Sequence, residues 1–182
     1  AGVTDRVEFR EENFFATDLR PATVLALYLL DSLNVRLRPK IFAECRPGTR
    51  VVTYSFEMGQ WECDAHTAIA ANGVSLWVVP ANVSGRWIVR GGTDPTALQE
   101  ITIEQRFQRL AGSVIVGGTR RPILHGTVKG SGFGFTFDGL NGPVAVSGGI
   151  DGESMEGVLT GGHSADSWQA RRFPDTQAAI EG

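Results

Sequence analysis

Ala22-Thr23-Val24-Leu25-Ala26-Leu27-Tyr28-Leu29-Leu30 is the stretch that decides the fold. It is an apolar run with no period of two. That pattern predicts a central strand of a parallel sheet, covered on both faces. A parallel partner needs a crossover, and the sequence offers one. Leu33, Leu37 and Ile41 fall at i, i+4, i+8, which predicts helix from Leu33 to about Cys45. Pro39 lies inside it and removes a backbone donor at a cost of ~3 kcal/mol, so two short helical pieces are expected. Pro47-Gly48 ends the helix, and Thr49–Phe56 is the next strand.

Working outward, Arg6–Arg10 alternates as a short strand. Thr67–Ala71, Asn72-Gly73 and Val74–Val79 read as a hairpin with a type I′ turn at Asn-Gly. The first part is therefore β-β-α-β-β-β and ends antiparallel. Of the 23 glycines, five lie in residues 1–90 and 18 lie after, so the composition changes at Arg90-Gly91-Gly92-Thr93-Asp94-Pro95. Beyond this point no helical period appears. Runs at 101–107, 113–116, 127–129, 133–137, 144–147, 155–159 and 168–171 are separated by glycine turns. They predict an antiparallel meander closing into a small barrel or sandwich. Leu124–Gly130 echoes Val146–Gly152, as two hairpins of the same chemistry would. The expected organisation is 1–92, 98–173 and a tail, 174–182.

Composition excludes some functions. Lys+Arg 17 against Asp+Glu 20 gives a net charge of −3, which argues against a nucleic-acid binder. No apolar run reaches the ~18 residues of a membrane span. The strand between Cys45 and Cys63 separates them too far for a disulfide, so two free thiols are expected. That leaves the compartment open: soluble, and cytoplasmic or exported if an upstream signal was removed. His66, His125 and His163 are scattered, with no metal-ligand spacing and no nucleophile constellation. Asp151 and Glu153 fall in a hairpin turn.

Several blocks carry a resemblance. They are Ala1–Phe9, Asp18–Val24 leading into Leu27–Leu30, Asn34–Lys40, Pro47–Val52, Phe56–Trp61 and Leu76–Ala81. Together they resemble the C-terminal half of a class I S-adenosylmethionine-dependent methyltransferase. The bacterial subfamily concerned is distantly similar to mitochondrial protein-lysine methyltransferases. The resemblance implies a partial Rossmann-like α/β sheet followed by a glycine-rich all-β extension. It implies S-adenosylmethionine as cofactor, no metal, and a protein or small-molecule methyl acceptor, a protein lysine among them. In such enzymes the cofactor lies across the C-terminal ends of the parallel strands. Carried onto this sequence, Asn13 and Phe14 would meet the adenine, with Asn standing where the family usually has Asp. Tyr28 would lie near the methylsulfonium as the catalytic position, with Leu29 beside it. Asn34, Met58 and Trp61 are the substrate-facing candidates. Set against these are blander readings: a solvated helix start for Asn34, Arg36 and Arg38, and a buried anchor for Trp61. Trp77, Trp87 and Trp168 read as packing.

The family's glycine-rich cofactor loop would precede Ala1. Gly130-Ser131-Gly132-Phe133-Gly134 does not replace it, because no helix follows. The chain opens without Met or a signal-like segment. A truncated catalytic sheet is therefore expected, completed by an N-terminal segment or by self-association. The rival expectation is a non-enzymatic binding fragment whose barrel holds an apolar or protein ligand.

Overall fold

The computed structural model describes residues 2–3, 5–69, 72–90, 98–161 and 164–180. The described residues are mostly β, with one helix of 14 residues among them.

The first unit is a four-stranded sheet in the order β1-β2-β4-β3. Its strands are β1 (Val24–Leu27), β2 (Arg50–Tyr54), β3 (Ala65–Ile69) and β4 (Asn72–Val78). β1 and β2 are parallel, and α1 (Asp31–Glu44) connects them. β4 runs antiparallel to both of its neighbours. The helix covers one face. Its Leu37 and Ile41 join Val51, Met58, Trp61 and Trp77 in a dry cluster. Burying each such side chain is worth ~1.5–3 kcal/mol.

Several expectations change here. The strand expected over 22–30 is only Val24–Leu27, and it is an edge. Leu25 and Leu27 pack inward, but Val24 and Ala26 are exposed, because nothing among the described residues covers that face. Arg6–Arg10 is not a strand. Alternation alone cannot hold a strand without a ladder partner, and this segment has none among the described residues. Pro39 does not split α1. The bonds lost there are outweighed by packing on both sides of it, from Asn34, Leu37, Arg38 and Ile41. The helix also begins two residues earlier than the apolar spacing suggested, at Asp31, and its buried face carries two polar residues, Asn34 and Arg38. The hairpin exists, but Asn72 pairs with Ile69 and Gly73 with Ala68. Asn-Gly is thus in the strand, and the two residues between the strands, Ala70 and Ala71, lie outside the described residues.

The second unit is a sheet of nine strands, β6-β5-β13-β12-β11-β10-β9-β7-β8, in which an added β6–β7 pairing closes a ring of eight. Its strands are β5 (Gly85–Arg90), β6 (Leu98–Arg106), β7 (Arg109–Val116), β8 (Thr119–Pro122), β9 (Leu124–Lys129), β10 (Gly132–Gly139), β11 (Gly142–Asp151), β12 (Ser154–Gly161) and β13 (Ser164–Arg172). Closure removes the exposed edges that an open sheet would leave. Each expected run from 101 to 171 lies in one of these strands, apart from Phe107. The echoing segments end at Gly130 and Gly152, at φ +56° and +55°, each opening a two-residue turn where glycine is favoured. The expected boundary at 92 puts Gly85–Arg90 in the first unit, but these residues form β5. It pairs with β6 and β13, so the pairing boundary falls in 79–84, ahead of Arg90. Residues 91–97 lie outside the described residues.

The barrel interior is occupied by its own side chains. Trp87, Ile101, Val114, Phe135, Met155 and Trp168 are among those packed there. This filling disfavours an apolar ligand inside the barrel. Arg172 stops one end. It donates to the Ser84 and Asn82 carbonyls, pairs with Glu153, and lies 4.4 Å from the Trp87 ring centroid. The segment after β13 is stitched down, with Ala178 bonded to Asn82 and Ser84.

The β6–β7 hairpin tip joins the two units. Phe107, at φ +52°, is 4% exposed and sits in the sheet unit's core. Its ring lies 6.1 Å from Phe42, with the Arg38 guanidinium at 4.7 Å. Arg106 bonds Gln60, Gln108 donates to the Glu62 carbonyl, and Arg109 pairs with Glu62.

Candidate functional site

The C-terminal ends of β1 and β2 lie side by side and feed two loops, 28–30 and 55–61. Ser55, at φ +68°, turns the chain off the end of β2. One helix face ties the loops together. Asn34, fully buried, donates from Nδ2 to the Leu29 and Glu57 carbonyls, both at 3.3 Å. Asp31 Oδ1 accepts the Glu57 N–H at 2.6 Å. Arg38 donates to the Met58 carbonyl at 2.7 Å. Burial, and after it the neighbouring Arg106, lowers the Arg38 guanidinium from its ordinary value. Asn34 Oδ1, Arg38 Nε and Trp61 Nε1 are buried without a partner.

Tyr28 is 71% exposed. Its ring stands 5.8 Å from Tyr54 and 5.7 Å from Phe56, tilted by 48° and 49°. The three rings form an angled corner above the strand ends. Leu29 is half-buried and contributes its carbonyl to Asn34. Met58 is fully buried and meets the helix through its carbonyl. Trp61, 1% exposed, packs on Phe42 at 4.7 Å and Trp77 at 6.2 Å, and its carbonyl accepts the Trp77 indole N–H. It is an anchor of the core.

Asn13 stands apart from this group. Its Oδ1 accepts the Phe15 N–H at 3.0 Å, closing a local turn. Phe14 is half-buried against Phe15, ring centroids 4.3 Å apart, and packs on the sheet core. The solvated reading of the helix start holds for Arg36, which lies 4.7 Å over the Phe15 ring, and fails for Asn34 and Arg38. Cys45 and Cys63 are free thiols, and burial raises the Cys45 thiol. His163 lies outside the described residues. No group of three or more His, Cys, Asp or Glu able to hold a metal ion occurs among the described residues, and no helix there is long and apolar enough to cross a membrane.

Sequence reading missed Tyr54, Phe56, Asp31 and Glu57. Tyr54 and Phe56 sit in an alternating strand pattern that marks them as packing. Their convergence on Tyr28 depends on the parallel register Leu27↔Thr53 and on the turn at Ser55.

The segment before α1 is held to the helix by Glu44, whose Oε2 accepts the Leu19 N–H at 2.9 Å. The Lys40 ammonium, then this N–H, hold the Glu44 carboxyl below its ordinary value. A carboxyl depressed by folding stabilises above its unfolded pKa, and that stability is lost as pH falls through the folded one. Amide exchange at Leu19 is therefore expected to lose protection on acidification through and below the usual carboxylate range. Glu44→Gln is expected to abolish that pH dependence.

Residues 1–65 match the family model described as the ANTKMT methyltransferase domain. A protein-lysine N-methyltransferase of Saccharolobus islandicus (strain REY15A) is 45% identical over 60 residues, covering 33% of this chain and 37% of the relative. The matched part is little more than a third of that relative's length. Among solved structures, an RNA methyltransferase from Salinibacter ruber in complex with S-adenosyl-L-homocysteine is 43% identical. That match covers 45% of this chain and 54% of that one, with a TM-score of 0.44.

Proposed function

We propose that this chain carries the substrate-side half of a class I S-adenosylmethionine-dependent methyltransferase, acting on a protein amine and followed by a packed β-barrel. The observation that carries this reading is the match of residues 1–65 to a methyltransferase domain, together with what those residues build. They form a β1–α1–β2 parallel unit whose strand ends present an exposed aromatic corner. The antiparallel insertion of β4 next to β2 supports a partial Rossmann-like methyltransferase sheet. The free edge of β1 is where a further segment, or a second copy, would extend it.

The residues present fit one side of a cofactor. Asn34 Oδ1 is a buried acceptor without a partner, and Tyr28 offers an accessible ring face. Tyr28 and Leu29 would hold the sulfonium end, where a ring face attracts a cation. Phe14 would cover the adenine, and Asn13, its oxygen engaged in the turn, would offer its amide Nδ2 to a ring nitrogen. Bound S-adenosylmethionine supplies an electrophilic methyl group on a positive sulfur. The chain's part is alignment. Asn34, Asp31 and Arg38 fix the 28–30 and 55–61 loops so that an acceptor nitrogen can approach in line. A lysine acceptor would release a proton to solvent to free its lone pair, and the loops held by this chain would aim that nitrogen at the methyl group.

The lysine acceptor draws on the relative's name and on the acidic net charge, which weighs against a nucleic acid. The test is transfer of labelled methyl from S-adenosylmethionine to protein by the native polypeptide carrying this sequence. Hydrolysis is expected to return the label as methylated lysine. Label confined to small molecules or to RNA would contradict the lysine acceptor.

A further inference from the structure

Glu57 is not used in the alignment just described except through its backbone. Its N–H is held by Asp31 and its carbonyl by Asn34. Its side chain is held as well: Ser75 Oγ donates to Oε1 at 3.1 Å. Ser75 is 2% exposed and has one proton to give, so its oxygen is left to accept from His66 Nδ1, 2.9 Å away. The chain of contacts therefore runs His66 Nδ1–H to Ser75, and Ser75 O–H to Glu57. The seat for His66 is built into β4. A Cβ on Gly73 would come within 2.3 Å of the imidazole, so only glycine leaves room for the ring where it lies.

A surface carboxylate is ordinarily free to swing. This one accepts the Ser75 O–H at Oε1, and its residue is held at two backbone points besides. It has no ion-pair partner among the described residues, and Oε2 takes part in none of these bonds. It stands at the end of β2, one residue beyond the aromatic corner's Phe56. An anion tethered through one oxygen, with the other uncommitted, is suited to a cation that arrives from outside.

We propose that Glu57 is the counter-ion for the acceptor's cationic side chain, a primary or partly methylated ammonium, and that Ser75 and His66 are positioning residues for its carboxylate. This rests on the methyltransferase reading for the identity of the acceptor, while the cation seat itself can be measured without turnover. Loss of the ion pair at Glu57 weakens cation binding directly. Loss of Ser75 or His66 weakens it by letting the carboxylate turn.

The test is a nuclear magnetic resonance titration of the chain with Nα-acetyl-lysine methylamide, and with its Nε-acetylated, uncharged analogue, followed at the Glu57 amide and carboxylate carbon. The cationic probe is expected to give saturable shifts, and the neutral one none. Glu57→Gln is expected to weaken the cationic probe about tenfold, and Ser75→Ala, His66→Gln and Gly73→Ala about threefold each. Gly73→Ala leaves every polar group in place and moves only the ring, so it separates positioning from loss of a side chain. Equal shifts from both probes, or Glu57→Gln titrating like the parent, would overturn the proposal. A separate titration with S-adenosylhomocysteine reports on the methyltransferase reading, so the two can fail independently.

Discussion

Phe107→Ala is expected to cost about 3–4 kcal/mol of stability, and to unfold the sheet unit ahead of the barrel. Phe107 belongs to the barrel by sequence and to the sheet core by packing. Truncation empties the space between Phe42 and Arg38, and the remaining hairpin contacts are exposed polar ones. Such surface contacts contribute ~0–1 kcal/mol each and cannot replace the ring. Arg38 would then be a buried cation facing a cavity, which adds to the loss. The barrel keeps its own core around Trp87 and Trp168. Urea unfolding followed by hydrogen exchange would separate the two units. A cost below about 1 kcal/mol would show that Phe107 does not anchor the sheet unit, and loss of both units in one step would show that they stay coupled without its ring. Phe107→Gly is a useful partner variant, since it makes the same cavity but relieves the backbone at φ +52°. It is expected to be slightly the more stable of the two.

The second large effect is expected at Asn34. Asn34→Ala leaves the Leu29 and Glu57 carbonyls unpaired in a part-buried setting. At ~1–3 kcal/mol for each stranded group, less what solvent entry restores, the cost is about 2–3 kcal/mol. The consequence reaches beyond stability. The 28–30 loop would no longer be tied to the 55–61 loop, and Tyr28 would lose its fixed place beside Phe56. Asn34→Asp is expected to be at least as damaging, because a carboxylate would face two carbonyl oxygens with nothing to donate. Urea unfolding measures the first effect, and cofactor-analogue binding the second. Stability within about 0.5 kcal/mol of the parent would remove Asn34 from this role.

The barrel was legible in the sequence because alternation and glycine turns repeat along it, and each strand's partner is its neighbour in the chain. β5 was not: beside its neighbour β6 it pairs with β13, some 80 residues away, which only closure of the ring brings to it. The sheet unit was legible where local signals decide: the apolar Val24–Leu27, the crossover helix, and the β3–β4 hairpin. It failed where a missing partner or a distant contact decides. Arg6–Arg10 has a strand pattern but no ladder among the described residues. Asn34 and Arg38 look like a solvated helix start, since the carbonyls they bind belong to loops whose position the sequence does not give. The same holds for the site. Tyr28 could be singled out by resemblance, but Tyr54, Phe56 and the His66–Ser75–Glu57 chain depend on cross-strand register. A one-residue slip would scatter all of them.

The central claim is that the ends of β1 and β2 form one side of an S-adenosylmethionine site. Calorimetric titration of S-adenosylhomocysteine into the native polypeptide that carries this sequence tests it most directly. Saturable one-to-one binding is expected, with a Kd of about micromolar order, weakened at least about tenfold by Tyr28→Ala. That variant should keep its fold, because the ring is 71% exposed. No saturable heat up to millimolar analogue from folded protein would contradict the claim, as would binding indifferent to Tyr28.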